Sequence, residues 1–235
     1  MSPEAPARRK DPWLAVGAAT KFPPIHVPTS STVPALVPLS LLEAIRNLDT
    51  PVEDGLDELA VEIATRRLGL SPTVAAQIQR YRQVAEKDGG VDLDEVVSVL
   101  RLVGRRADAP LAFADAGRRA ARYATRVHAR PAWTFSRSGA AGLSRRIARR
   151  SAAHLARRAF GGELSPAPEG VQVSMTEPLT VRALPDGSAC DFYGAAYGEL
   201  LRRVAGFEGA MLHERCRGRG DEACLWRTAA AEIYE

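Results

Sequence analysis

The sequence predicts an α+β protein: an N-terminal helical region followed by a C-terminal antiparallel sheet packed with helices. Three observations carry this. Apolar residues recur at helical spacing from about residue 39 to 160. The period then shortens to two, with Val171, Val173 and Met175 alternating with polar residues. Gly and Pro clusters punctuate the chain where one pattern gives way to the next.

Residues 1–38 read as a proline-rich extended arm. Pro3, Pro6, Pro12, Pro23, Pro24, Pro28, Pro34 and Pro38 oppose a regular element. Trp13, Leu14, Phe22 and Ile25 could anchor the arm against a surface, so a segment that docks on a protein partner and a disordered one fit the sequence equally. Residues 39–130 form the helical region. Leu41, Leu42 and Ile45 open a short helix, and a second covers 57–68, stopped by Gly69. Ser71 is an N-cap with Pro72 at the first helical position, opening a helix to Glu86. Asp88, Gly89 and Gly90 make a turn. Asp92 and Glu95 have capping-box spacing before Val96, Val99, Leu100 and Val103. A helix over 110–128 is broken at Pro131, and another over 139–160 ends at Gly161.

Residues 131–235 form the third region. Ser165, Pro166, Ala167 and Pro168 read as a linker, and 171–175 with 179–183 as a hairpin. Pro185, Asp186 and Gly187 make a turn. A helix runs over 190–204, with Phe192, Ala196, Leu200 and Val204 on one stripe. The last two strands cover 207–214 and 223–228.

The chain has 235 residues, 46% hydrophobic and 26% charged, and can bury a sizeable core. Net charge is +4, with arginine supplying nearly all the cations and lysine confined to Lys10, Lys21 and Lys87. Abundant Ala and Arg suit a GC-rich bacterial genome. No apolar run reaches the ~20 residues of a membrane span. The prolines after Lys10 do not suit a signal peptide, so the expected location is cytoplasmic. An odd number of cysteines, 3, argues against a disulfide framework.

Cys190, Cys216 and Cys224 all lie in the last 46 residues, and His213 stands three before Cys216. Together these are enough soft donors for one closed tetrahedral zinc site. Three separate core cysteines suit the same pattern, since free Cys is among the most buried residue types. Cys190 falls at a helix start, where the helix dipole favours a thiolate. His213 and Cys216 fall at the end of one strand and Cys224 at the start of the next.

The run from Cys190 through Phe192, Tyr193 and Tyr197, followed by His213, Cys216, Gly220, Asp221, Cys224 and Trp226, resembles the 4-vinyl reductase domain family. It is similar to the ligand-sensing domains of bacterial activators that respond to phenol and related aromatics. The resemblance spans about residues 140–230, with motif agreement over 188–226. It implies metal ligands at Cys190, His213, Cys216 and Cys224. In the family the second of these is a glutamate; here it is His213. Glu214 is one place out of register and on a regular strand would face the other way. The resemblance further implies a TRAPP-subunit-like fold, frequent homodimers and structural Zn2+.

Family members enclose an apolar pocket for a small hydrophobic or aromatic molecule. Trp133, Phe135, His154, Phe192, Tyr193 and Tyr197 are the candidate lining here, against plain core packing for each. Arg145, Arg146, Arg149 and Arg150 form a basic patch on one helix face. No DNA-reading motif or interleaved aromatics accompany it, so a nucleic-acid partner is not favoured. The chain shows no phosphate-binding glycine motif and no nucleophile–base pair. The leading expectation is a non-catalytic module binding a hydrophobic small molecule or a protein partner. The alternatives are an accessory or reductase protein of bacteriochlorophyll 4-vinyl reduction, and an assembly adaptor acting through the arm and the arginine helix.

Overall fold

The computed structural model describes residues 32–50, 68–128, 141–168 and 170–230, all within the compact unit that begins at Thr32. The expected helix over 57–68, Trp133, Phe135 and most of the arm lie outside the described residues.

The helical part comprises β1 (Thr32–Pro34), α1 (Leu36–Asp49), α2 (Pro72–Glu86), β2 (Gly90–Asp92), α3 (Leu93–Gly104) and α4 (Ala109–His128). β1 and β2 pair antiparallel through Thr32 with Asp92 and Pro34 with Gly90. The arm therefore ends before residue 38. Pro38 sits in the first turn of α1, where the backbone N–H it lacks has no intrahelical acceptor. Leu39, Leu41, Leu42 and Ile45 of α1 are buried.

Local signals set the next helices. The Ser71 hydroxyl accepts the Val74 N–H at 3.3 Å, with Pro72 opening α2. Asp92 Oδ1 accepts from the Asp94 and Glu95 N–H groups at 2.9 and 3.3 Å. Glu95 does not complete the box: its carboxylate accepts the Tyr81 hydroxyl at 2.6 Å, tying α3 to α2. Arg106 grips Asp49 with two hydrogen bonds of 3.0 and 2.8 Å and so fixes the end of α1 to the α3–α4 turn. Asp49 is buried and also accepts the Gly69 N–H, so the ion pair closes a buried polar network.

The second half comprises α5 (Ala141–Phe160), β3 (Glu163–Ala167), β4 (Gly170–Met175), α6 (Leu179–Ala183), α7 (Asp191–Ala205), β5 (Gly209–Arg215) and β6 (Cys224–Ala230). The sheet is antiparallel in the order β3-β4-β6-β5. Two expectations are corrected here. Residues 165–168 are not a linker: Ser165, Pro166 and Ala167 belong to β3, which pairs with β4. β3 is an edge strand, so the missing N–H of Pro166 breaks no internal ladder. The partner of β4 in its hairpin is thus β3, not 179–183. That segment is the short helix α6, whose buried residues Thr180 and Ala183 are three apart. Apolar alternation over five residues cannot separate the two states, and Pro178 ends the strand by placing its carbonyl as acceptor for Val181 N–H.

α7 lies between the sheet and α4, and α1 packs on α4 in turn. One buried cluster runs from Ala35 to Trp226. Residues on both sides of the boundary expected at 130/131 contribute to this core, so helices and sheet stabilise one another. The overall class is mixed helix and sheet with antiparallel sheets.

Candidate metal centre

The centre is built where β5 and β6 turn and where α7 begins. β5 and β6 pair with His213 opposite Trp226 and then Arg215 opposite Leu225. One residue, Glu214, is therefore extra on β5: a β-bulge. This matters for the site. On a regular strand residues three apart point to opposite faces. The bulge absorbs one residue, so His213 and Cys216 come to the same side as Trp226 and Cys224. Glu214 is left on the outer side, where its carboxylate pairs with Arg227.

The loop after Cys216 is closed by its own hydrogen bonds. Asp221 Oδ2 accepts the Cys216 N–H at 2.7 Å, and the Cys216 carbonyl accepts the Arg219 N–H at 2.8 Å. The Arg217 guanidinium donates to the carbonyls of Thr176 and Glu222 at 2.9 and 3.3 Å. Cys190 arrives from the other side, at the end of a short 3-10 turn that runs into α7. Asp186 accepts the Ser188 N–H and hydroxyl at 3.0 and 2.8 Å and shapes that turn. Gly187 has φ 77°, and a Cβ there would stand 2.4 Å from Cys216 Sγ. Only glycine suits both the backbone and the approach of the sulfur.

One potential ligand atom each from Cys190, His213, Cys216 and Cys224 lies within 4.8 Å of all the others. Cys216 and Cys224 Sγ are 3.9 Å apart. The three cysteines are buried and carry free thiols. The His213 ring stacks on Trp226, with centroids 4.7 Å apart and planes within 9°. Its Nε2 is buried and has no hydrogen-bond partner among the described residues. Burial, and then the charge of Arg219, lowers the His213 pKa, so the ring is neutral near pH 7 and its free nitrogen can coordinate. Burial drives the Cys190 thiol far above its usual range, and Cys224 and Cys216 drive it further. The Cys224 thiol is raised for the same reasons, burial first. A cation among these sulfurs would reverse that balance, because it compensates the thiolates. The donor set thus fits a metal ion, and four donors this close suit one ion rather than a spread cluster.

Two sulfurs also have hydrogen-bond partners outside the cluster. Thr180 Oγ1 is 3.3 Å from Cys190 Sγ, and the Arg217 N–H donates to Cys224 Sγ at 3.3 Å. Sequence reasoning missed Thr180, because its segment read as a strand. The glycine at 187 was visible as part of a turn, but nothing in the sequence linked that turn to Cys216. Groups that hydrogen-bond a ligand tune its affinity for the ion. We predict that Thr180→Val weakens metal binding about 10-fold, within the range typical of such partners. A competition titration against a chromogenic chelator reads this, and unchanged affinity would remove Thr180 from the site.

The other expected site residues divide. Phe192, Tyr193 and Tyr197 are buried together with Phe160 and Trp226. Tyr193 and Tyr197 stack at 5.9 Å, and each meets Trp226 at under 6 Å, 5.7 and 5.6 Å between centroids. The Tyr197 hydroxyl and Trp226 Nε1 are buried without a hydrogen-bond partner among the described residues. His154 is not with them: it lies on the exposed face of α5, whose buried face is Ala152, Leu155, Ala156 and Ala159. Its place three residues after Ser151 puts it on the solvent side of the amphipathic helix. Arg145, Arg146, Arg149 and Arg150 all fall in α5, and Arg149 and Arg150 are exposed. No helix among the described residues is long and apolar enough to cross a membrane.

Fold and site together define a class: an α+β protein with a Cys3His cluster that can bind a metal ion. No protein-family model, curated protein or solved structure matches the chain.

Proposed function

We propose that the protein is a non-catalytic binding module for a small hydrophobic or aromatic molecule, locked by a structural zinc ion. The convergence of four donor atoms within 4.8 Å carries the zinc part of this reading. With Zn–S near 2.3 Å, a regular tetrahedron has edges of about 3.8 Å, which matches the 3.9 Å between Cys216 and Cys224 Sγ. Three cysteines and a histidine are a common structural zinc set, and four protein donors leave no position for an activated water. The ion would tie the start of α7 to the β5–β6 hairpin.

The ligand would lie near Phe192, Tyr193, Tyr197 and Trp226. Two buried polar groups without partners among the described residues, the Tyr197 hydroxyl and Trp226 Nε1, offer it hydrogen bonds in apolar surroundings. Such a mixture suits an aromatic molecule with one polar substituent. This reading agrees with the likeness to the 4-vinyl reductase domains and needs no electron-donor site. Native mass spectrometry of the purified full chain, with analysis of the organic extract, tests it. The expected result is one apolar compound per chain, retained less well by Tyr197→Phe. A chain that carries zinc alone, with nothing in the extract and no uptake of added phenols, would overturn the ligand reading.

A further inference from the structure

We propose that Cys216 and Cys224 form a reversible disulfide when a peroxide reaches the cluster, making the metal centre an oxidant-responsive site. The release of the ion rests on the zinc reading above; the choice of the pair rests on geometry alone.

The geometry singles out this pair in three ways. The two sulfurs are already 3.9 Å apart, and they flank the junction of two adjacent antiparallel strands. Continuing the β5–β6 register past Arg215 and Leu225 brings Cys216 opposite Cys224. Cross-strand neighbours of this kind have Cα atoms about 4.5–5.5 Å apart, inside the range a disulfide spans. Cys190, by contrast, comes from a separate element and is held by Thr180.

The three thiols also differ in their surroundings. Cys190 Sγ lies by the Thr180 hydroxyl and Cys224 Sγ accepts the Arg217 N–H. Cys216 Sγ accepts the Cys224 S–H at 3.9 Å, so these two sulfurs already face each other. Cys216 is 2% exposed, against 1% for Cys190 and 0% for Cys224. Its sulfur also lies directly under Gly187, which has no side chain to cover it. Exposed residues flank that glycine: Pro185, Asp186 and Ser188. A small oxidant would come to Cys216 from this side.

The chemistry balances with hydrogen peroxide as oxidant. The Cys216 thiolate attacks one peroxide oxygen, the O–O bond breaks, and hydroxide leaves, giving a sulfenic acid at Cys216. The Cys224 thiolate then attacks that sulfur, the S–S bond forms, and a second hydroxide leaves. Two thiolates lose two electrons in all and one peroxide gains them. Only Cys190 and His213 then remain as donors, too few to hold a structural zinc ion. The hairpin stays closed by the new bond, while its tie to α7 is lost.

The test uses the zinc-loaded full chain. After titration with hydrogen peroxide, released zinc is read with a chromogenic chelator. Free thiols are alkylated and the peptides mapped by mass. The expected result is one disulfide, between Cys216 and Cys224, with Cys190 alkylated and one zinc released per disulfide. Dithiothreitol with added zinc restores the starting state. In Cys224→Ser, dimedone labels Cys216. If that variant does not fold, the wild-type peptide map still decides. A disulfide that includes Cys190, or three free thiols at peroxide levels that fully oxidise glutathione, overturns the proposal. A chain that carries zinc but forms no 216–224 bond refutes this inference and leaves the zinc reading standing. A metal-free chain that forms this bond supports the pair and refutes the zinc reading.

Discussion

Removal of the metal by a chelator is expected to lower the melting temperature by about 8–16 °C. An ion present at a thousandfold over its dissociation constant stabilises the fold by about 4 kcal/mol. For a domain of 150–250 residues each kcal/mol moves the midpoint by about 2–4 °C. The loss is bounded because the thiols can take up protons once the ion leaves, so no unpaired charge stays buried. It remains large because the cluster joins three chain segments: the turn before α7, the end of β5 and the start of β6. β5 stands at the edge of the sheet and, among the described residues, pairs only with β6. Amide exchange should therefore rise first in β5 and in residues 216–223. Thermal scans with and without chelator check the size of the effect. Cys216→Ala, which lacks one ligand, should melt low and show no further response to chelator. Equal midpoints for the wild type in both conditions would show that the cluster contributes nothing.

Gly117→Val is expected to destabilise the protein by about 3 kcal/mol and to weaken metal binding as well. Gly117 lies where α4 crosses α7. A Cβ there would stand 2.1 Å from the Phe192 carbonyl oxygen, and 3.0 Å from Phe192 C and Ala196 N. All three are backbone atoms, so no side chain can swing aside. The helices would have to separate by roughly 1 Å, and overpacking of this kind costs about 1–3 kcal/mol or more. Ala112, Ala116, Ala120 and Ala124 of α4 are also fully buried, so the helix has little room to shift. Phe192 follows Cys190 by two residues, so a displaced α7 moves one of the four candidate donors. Gly117→Ala is the milder case, since about 1 kcal/mol of helix propensity offsets part of the clash. Urea unfolding reads the stability, and chelator competition reads the metal affinity. A Gly117→Ala variant more stable than the wild type would show that the helices are not in the contact described.

Where the sequence was legible, the information was local. Ser71 with Pro72, Asp92 before the α3 stripe, and the stripe of α7 each rest on interactions within one or two turns. α6 was not legible, because its five residues carry an alternation that a helix and a strand share. β3 was hidden by Pro166, whose cost disappears only at a sheet edge, and edge position is a property of the whole sheet. The metal centre shows both sides of this. Residue types and spacing picked out all four members of the cluster. The bulge at Glu214 was not written in any single residue, yet it is what turns His213 and Cys216 to one face. His154 falls on the exposed face of α5 for a related reason: a histidine on a helix can face core or solvent, and only the packing of α5 decides.

Metal analysis of the protein, refolded with zinc and then freed of excess by gel filtration, tests the central claim most directly. About one zinc per chain is expected in the wild type and none in Cys216→Ala. A wild-type chain that retains no metal and is equally stable with and without zinc would contradict it.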